Sequence, residues 1–491
     1  VAGFAVLALC VSSGLWTGAA SAVRLTSAST EPFASDQPAL YAALAAPSNS
    51  SPPTISGTAQ EGMTLTAAPG SWSEEPTSYK YKWRRCDTQG AHCKAIKKAT
   101  ATTYTVQSLD AGHTLRVYVI ARNTAGHSKA VPSPQTAVVG SGAGTLHYEY
   151  VFLDGSISVY DVDQSFKLVK TISLPQTESG VRGVTVAPSS HLLFISYGGD
   201  GTGFNGSVLA YDLVTERVVW TVKLKTGIDS GQVSPDGKRL YMPTGENTPS
   251  GIWNILDTAN GAVIGTIQGG SGAHNTVASS DGRYVYLDGR EYNYLDVYNT
   301  ANGTVRGIGP LVNTARPFTV NGSNTLAFTT ATEFDGFQVS SITTGKVLFT
   351  VSFGAVPKGF PFSAPSHGAS LSPDEKQLYV IDSPNKKVRV YDVSRVAEGV
   401  APTELGAIPV AGLSGNESSC AYDCTRGGWL QRSVDGRFVY VGDSGEVIET
   451  ATRKVIATLP TLLNTKKSLE VHWSGGVPVA TSNRTGVGEV R

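Results

Sequence analysis

Charge is scarce in this chain. Only 16% of its 491 residues are Asp, Glu, Lys or Arg, and 39 basic side chains cancel 39 acidic ones to a formal net charge of zero. Without a basic surplus there is no electrostatic footprint for a nucleic-acid backbone or an anionic membrane surface, so neither partner is expected. Methionine is nearly absent, with 2 residues, while glycine reaches 54. That balance, with abundant Thr, Val and Tyr, excludes a helical bundle and suits many short strands joined by tight turns. Long apolar runs are missing too. The run at residues 4–9 is broken by Ser12, Ser13 and Gly14, well short of a membrane span. The sequence contains no G-x-S-x-G nucleophile elbow and no phosphate-binding loop.

The first residues read as a targeting segment. Small residues follow the apolar run and end in Ala20-Ser21-Ala22, an A-x-A cleavage pattern, so residues 1–22 are expected to be a signal peptide and the mature protein to be secreted. The chain starts at Val1 without a basic flank, and an N-terminal anchor is the alternative. A lipoprotein reading through Cys10 is weaker, because Leu9 stands where a small residue is needed. Cysteine usage agrees with export: beyond Cys10 there are two close pairs, Cys86/Cys93 and Cys420/Cys424, expected to be local disulfides. No His or second pair lies at zinc-ligand spacing, so no metal is assigned to them.

Residues 23–50 are Ala/Ser/Pro-rich and read as a linker. From 51 to 139 short alternating segments, "TLTA", "YKYKW", "TYTV" and "TLRVYV", are separated by turn signals such as Pro69-Gly70. Tyr79, Tyr81 and Trp83 share one face at period two, with Trp83 expected in the core between two sheets. The stretches "ISGTAQEGMTLTAAPGSW", "TSYKYKWRRC" and "LDAGHTLRVYVIARNTAG" resemble the Ig-like sandwich modules of secreted bacterial surface proteins. The resemblance implies a β-sandwich that serves as a spacer or a binding module.

Residues 140–145 are a glycine-rich joint, and from 146 to 491 the sequence repeats. The copies include "YVFLDGSISVYDV", "YLDGREYNYLDVYNTANGTV" and "YVIDSPNKKVRVYDVS", and most copies are preceded by a short strand and a turn such as "VSPDGK" or "LSPDEK". The markers Phe152, Phe194, Tyr241, Tyr286, Phe328, Tyr379 and Tyr440 lie 42, 47, 45, 42, 51 and 61 residues apart. Four strands per step is the signature of a propeller blade, since a lone four-stranded sheet buries its faces only against its neighbours. The fold expected is all-β: a sandwich, then a seven-bladed β-propeller whose C-terminal strand completes the first blade. Eight blades is the alternative. The motifs "SPDGKRLYM", "SPDEKQLYVID" and "KVRVYDVS" resemble the YVTN/YncE-like propellers of bacterial envelopes, a scaffold that implies a fold but hosts binding proteins, lactonases, dehydrogenase subunits and polysaccharide lyases alike.

Equivalent repeat positions place residues from distant parts of the chain at one mouth of the channel. Arg182, Asp229, His274 with Asn275, Arg316, His367, and Arg426 with Trp429 lead into inner strands. Tyr197, Glu246, Asn247, Arg290, Tyr292, Asn293, Glu333, Asp382 and Asp443 sit on loops expected on the same face. The chain has only 8 His, and two of them occupy the same repeat position. Guanidinium forks match a carboxylate, phosphate or sulfate, and a secreted protein meets uronic acids in glycans. The expectation is an anionic, uronate-containing polysaccharide bound by Arg182, Arg316, Asn275, Asp229, Trp429 and Arg426. β-Elimination would follow, with His274 or His367 as base and Tyr197 or Tyr292 as acid. At fold level this resembles propeller polysaccharide lyases. A monomer without cofactor is expected, with calcium at the channel or at the "GGDGTG" loop as a possible cation. Two other readings stand beside it. His274 and His367 would be capped core histidines with arginines bridging blades, or the protein would be a non-catalytic, adhesin-like envelope or glycan-binding protein.

Overall fold

A computed structural model describes residues 45–60, 63–107, 110, 113–139, 146–418, 420–421, 424–483 and 486–490. The expected signal segment 1–22, most of the linker 23–50 and the joint 140–145 lie outside the described residues.

The first unit is built from two facing sheets. One orders Thr54–Ser56, Thr64–Ala68 and Thr103–Thr105; the other centres on Ser78–Cys86 paired with Thr114–Asn123, flanked by Lys94–Ala95 and Val131–Pro132. Alternation puts Leu65 and Ala67 from one sheet against Trp83, Leu115, Val117 and Val119 from the other. Trp83 is fully buried, stacks on Tyr104 at 5.4 Å and donates its indole N–H to the Ala101 carbonyl at 3.0 Å. Truncating such a side chain costs about 3–5 kcal/mol. Cys86 and Cys93 form a disulfide. Strand structure starts earlier than residue 51: Asn49–Ser51 pairs with Ser71–Trp72, and the Asn49 side-chain amide caps the Ser51 and Ser71 carbonyls, which draws the end of the expected linker into the fold.

From residue 146 the described strands form seven sheets. Six are four-stranded antiparallel sheets consecutive in sequence. The seventh is five-stranded and joins the two ends of the region: Leu146–Leu153 pairs with Ser468–Ser474, as the sequence pattern predicts. The innermost strands, Val181–Ala187, Gln232–Val233, Ala273–Ala278, Ala315–Val320, Ala369–Leu371 and Trp429–Arg432, each touch the next, and Ser468–Ser474 lies between the last and the first. This closed ring is a β-propeller. Inner strands are covered on both faces and buried along most of their length, whereas outer strands such as Arg217–Lys223 alternate between half-buried and exposed.

The repeated Ser-x-Asp turns explain why the repeat is legible. Ser234, Ser279, Ser372 and Ser433 each donate a hydroxyl hydrogen bond to the aspartate two residues on. Each also accepts the backbone N–H five residues on, at 2.9–3.0 Å. Gly237, Gly282 and Gly436 take the left-handed position of this turn (φ 72°, 71° and 74°). Each such turn sets one inner strand against its second strand, and so fixes which residues point toward the channel.

Candidate functional site

At the end where the inner strands begin lies a cavity of about 440 Å³. Arg182, Asp229, His274, Asn275, Arg316, His367 and Trp429 all line it, with Glu246 and Arg290 beside them. Three inner strands break register where these side chains leave the backbone, between Val181 and Gly183, Ala273 and Thr276, and Ala315 and Phe318. A bulge re-aims a side chain, and here it turns Arg182, His274 and Arg316 toward the opening.

One side of the cavity is an ion-pair network. Arg182 Nη2 lies 2.8 Å from Asp229 Oδ2 and 3.2 Å from Glu246 Oε1, and Arg290 pairs with Glu246 Oε2. His274 Nδ1 is 3.1 Å from Asp229 Oδ2, an ion-pair distance without good hydrogen-bond alignment. Burial alone would push the Asp229 carboxyl up, but Arg182 and His274 hold it well below its usual range. For His274, burial disfavours the charge, yet the carboxylates of Asp229, Glu246 and Asp288 outweigh burial and raise its pKa above 6.5. Asp288 is itself raised by burial, with Asn275 Nδ2 donating to it at 2.9 Å.

The other side is built by loops. His367 donates from Nδ1 to the Gly428 carbonyl at 2.9 Å, because a carbonyl can only accept. That fixes the tautomer and leaves Nε2 as the lone-pair nitrogen. The ring stands edge-on to Phe362 at 4.8 Å and to Trp429 at 5.3 Å. Burial, reinforced by the Arg316 and Lys466 cations, holds its pKa well below 6.5. Arg316 donates from Nε to Thr332 Oγ1 at 3.0 Å and from Nη2 to Ser363 Oγ. Lys466 is buried: Nζ lies 3.0 Å from Glu417 Oε1, 2.9 Å from the Thr425 carbonyl and 3.4 Å from Asp443 Oδ2. Burial pushes Glu417 up to about 7.

Not every expected residue arrives. Tyr197 is 8% exposed inside an apolar cluster with Val181, Val184 and Ile195, because strand alternation turns it between sheets rather than toward the channel. The ring of Tyr292 lies over Gly270 and against Tyr294, outside the cavity. Arg426 reaches sideways to Asn464 Oδ1 at 2.9 Å and the Ser414 carbonyl. Asp382 is engaged by Arg389, and Asp443 stands behind Lys466. Asn247, Asn293 and Glu333 are likewise absent from the lining. Phe362, Ser363, Lys466 and Lys467 line the cavity without having been expected there. Phe362 and Ser363 have one signal in the sequence: the longer repeat step of 51 residues, where loop 353–368 is inserted. Lys466 and Lys467 lie between strands Lys454–Thr458 and Ser468–Ser474 and have none.

The lining carries five Lys/Arg (Arg182, Arg290, Arg316, Lys466, Lys467) against two carboxylates, in a chain of zero net charge. Among the described residues no three His, Cys, Asp or Glu are grouped to hold a metal ion, and no helix is long and apolar enough to cross a membrane. In the "GGDGTG" loop, Asp200 Oδ1 accepts from Thr202 N and Oγ1, which makes a turn. Cys420 and Cys424 form the second disulfide, within loop 410–428.

No family model matches the chain, and no curated protein matches it in sequence. Among solved structures, the dihydro-heme d1 dehydrogenase NirN in complex with DHE is 12% identical, with 69% of this chain and 73% of that one covered and a TM-score of 0.45. The Cps50 (Swd1) β-propeller domain of Myceliophteria thermophila is 10% identical over 57% of this chain and 85% of its own, with a TM-score of 0.43. Kuenenia stuttgartiensis hydrazine synthase is 17% identical over 56% and 96%, with a TM-score of 0.35. These scores are all below 0.5, too low to bear on function.

Proposed function

We propose that the cavity binds the carboxylate of a uronate-containing glycan and cleaves the chain by β-elimination. The observation that carries this reading is the split between the two imidazoles. His274 and His367 occupy equivalent repeat positions in one cavity, yet carboxylates push one pKa up while burial and cations push the other down. Two titratable groups driven apart in this way are suited to act as acid and base. His367 Nε2 takes the proton from the carbon next to the carboxylate, and the C–H electron pair becomes the new carbon–carbon double bond. The bond to the glycosidic oxygen breaks, and His274 gives that oxygen its proton. The cationic lining stabilises the charge that builds on the carboxylate during proton removal. His274 replaces Tyr197 and Tyr292 as the acid, since neither tyrosine lines the cavity.

The seven sheets support a seven-bladed propeller, for which the repeat motifs alone suggest the YVTN/YncE-like kind, and the paired sheets at 54–132 support an Ig-like module before it. The two disulfides are compatible with an extracellular location. The test is incubation with polyuronates: unsaturated ends absorbing in the ultraviolet support cleavage, and retention of intact glycan supports a binding protein instead. If the polyuronate is neither cleaved nor retained, the glycan reading fails.

A further inference from the structure

The two ends of the ring differ in how the chain covers them. At the far end of the ring the C-terminal segment runs across the exits of the inner strands. After Val477–Thr481 pairs with Ser468–Ser474, the Gly486 carbonyl accepts from Thr319 Oγ1 (2.9 Å) and Leu371 N (3.1 Å). Gly488 N donates to the Val320 carbonyl at 2.9 Å, Arg432 Nη2 donates to the Val487 carbonyl at 2.8 Å, and Val487 is buried with Val277 and Phe318. A polymer therefore has no straight path through the channel.

The loops that lead into the inner strands are longest on one side of the ring. The loops leading into Ala273–Ala278 and Ala315–Val320 span four and six residues, 269–272 and 309–314. Loops 353–368 and 410–428 span sixteen and nineteen. These two lean together, with the ring of Phe362 against Gly427, and the second is stiffened by its disulfide and by the Asn416–Thr425 bridge. His367 stands at the foot of this wall.

We infer that the glycan enters end first: its reducing-end uronate, whose β-carbon oxygen carries the rest of the chain as the leaving group, lies over His367 against the wall, and the rest of the chain leaves over the low rim. The inference rests on the glycan reading and narrows its substrate to chain ends. A chain lying across the mouth would offer many overlapping sites, so its affinity per chain would rise with length, whereas a chain end is present once. The test is calorimetric titration of a short and a long oligogalacturonate, each of defined length, into the full chain carrying His367→Gln, with the wild type run on the short oligomer as control. End-first binding predicts one protein per chain at both lengths and per-chain association constants within about twofold of each other. Several proteins per long chain, with affinity rising in proportion to length, overturns the inference and leaves the glycan reading intact. Absence of binding by the wild type to the short oligomer, together with absence of binding by His367→Gln to either, overturns both.

Discussion

The two walls of the cavity hold the same residue type at the same repeat position and treat it in opposite ways. On the wall formed by Arg182, Asp229, Glu246 and Arg290, buried carboxylates surround His274 and favour its charged form. On the loop-built wall, His367 meets a backbone carbonyl, two aromatic edges and nearby cations, and stays neutral. Repeat geometry decides where a side chain goes. Its charge state is decided by partners from other blades and from inserted loops.

The sharpest break of this contrast is His367→Gln, which keeps a polar group of similar size and removes the base. Turnover of a polyuronate should fall by about 10²–10⁴-fold, in line with loss of a general base, with glycan binding retained. Equal loss of binding and turnover would make His367 a contact rather than a base.

Asp229→Asn acts on the opposite wall. Removing one partner of a buried pair typically costs about 3–5 kcal/mol, so the thermal midpoint should drop. With its main counter-charge gone, the His274 pKa should fall, and the alkaline limb of the rate profile should move to lower pH. The sign for stability is fixed in advance. His274 is raised above 6.5, so its contribution is fully present below 6.5 and lost as pH rises through its folded value. Asp229 is depressed below 3.8, so its contribution is present above that value and lost as pH falls through the folded one. Denaturant titrations of both proteins across pH measure this; a midpoint within experimental error of wild type would show that the pair is not closed in solution.

A third expected effect is milder. Lys467→Ala takes one cation from the lining and should weaken uronate binding and flatten its salt dependence, with about 0.5–1 kcal/mol at stake for a charge at a wet rim. An unchanged salt slope would remove Lys467 from the binding surface. The smallest effect belongs to Tyr197→Phe and Tyr292→Phe. Neither ring lines the cavity, so turnover should stay within about twofold of wild type; a large loss in either would restore a tyrosine as the acid.

Much of this was legible in the sequence. The Ser-x-Asp turns recur because each makes the same two hydrogen bonds, so the repeat shows through weak residue identity, and the C-terminal strand could be assigned to the first sheet. Arg182, Asp229, His274, Asn275, Arg316, His367 and Trp429 were legible as a group, since they precede or open inner strands. Tyr197 misled because loop position alone ignores alternation: it ends a strand whose neighbouring side chains point between sheets. Phe362 and Lys466 stayed hidden because they belong to loops and a linker turn that do not follow the repeat. The charge states were out of reach altogether, since Asp229 and His274 are 45 residues apart and meet only when neighbouring blades pack.

The most direct measurement is a histidine titration by NMR, following the ring C2–H shifts with His274→Gln and His367→Gln used for assignment. One imidazole should titrate above 6.5 and the other remain neutral until well below it. Two superimposed titrations near 6.5 would contradict it.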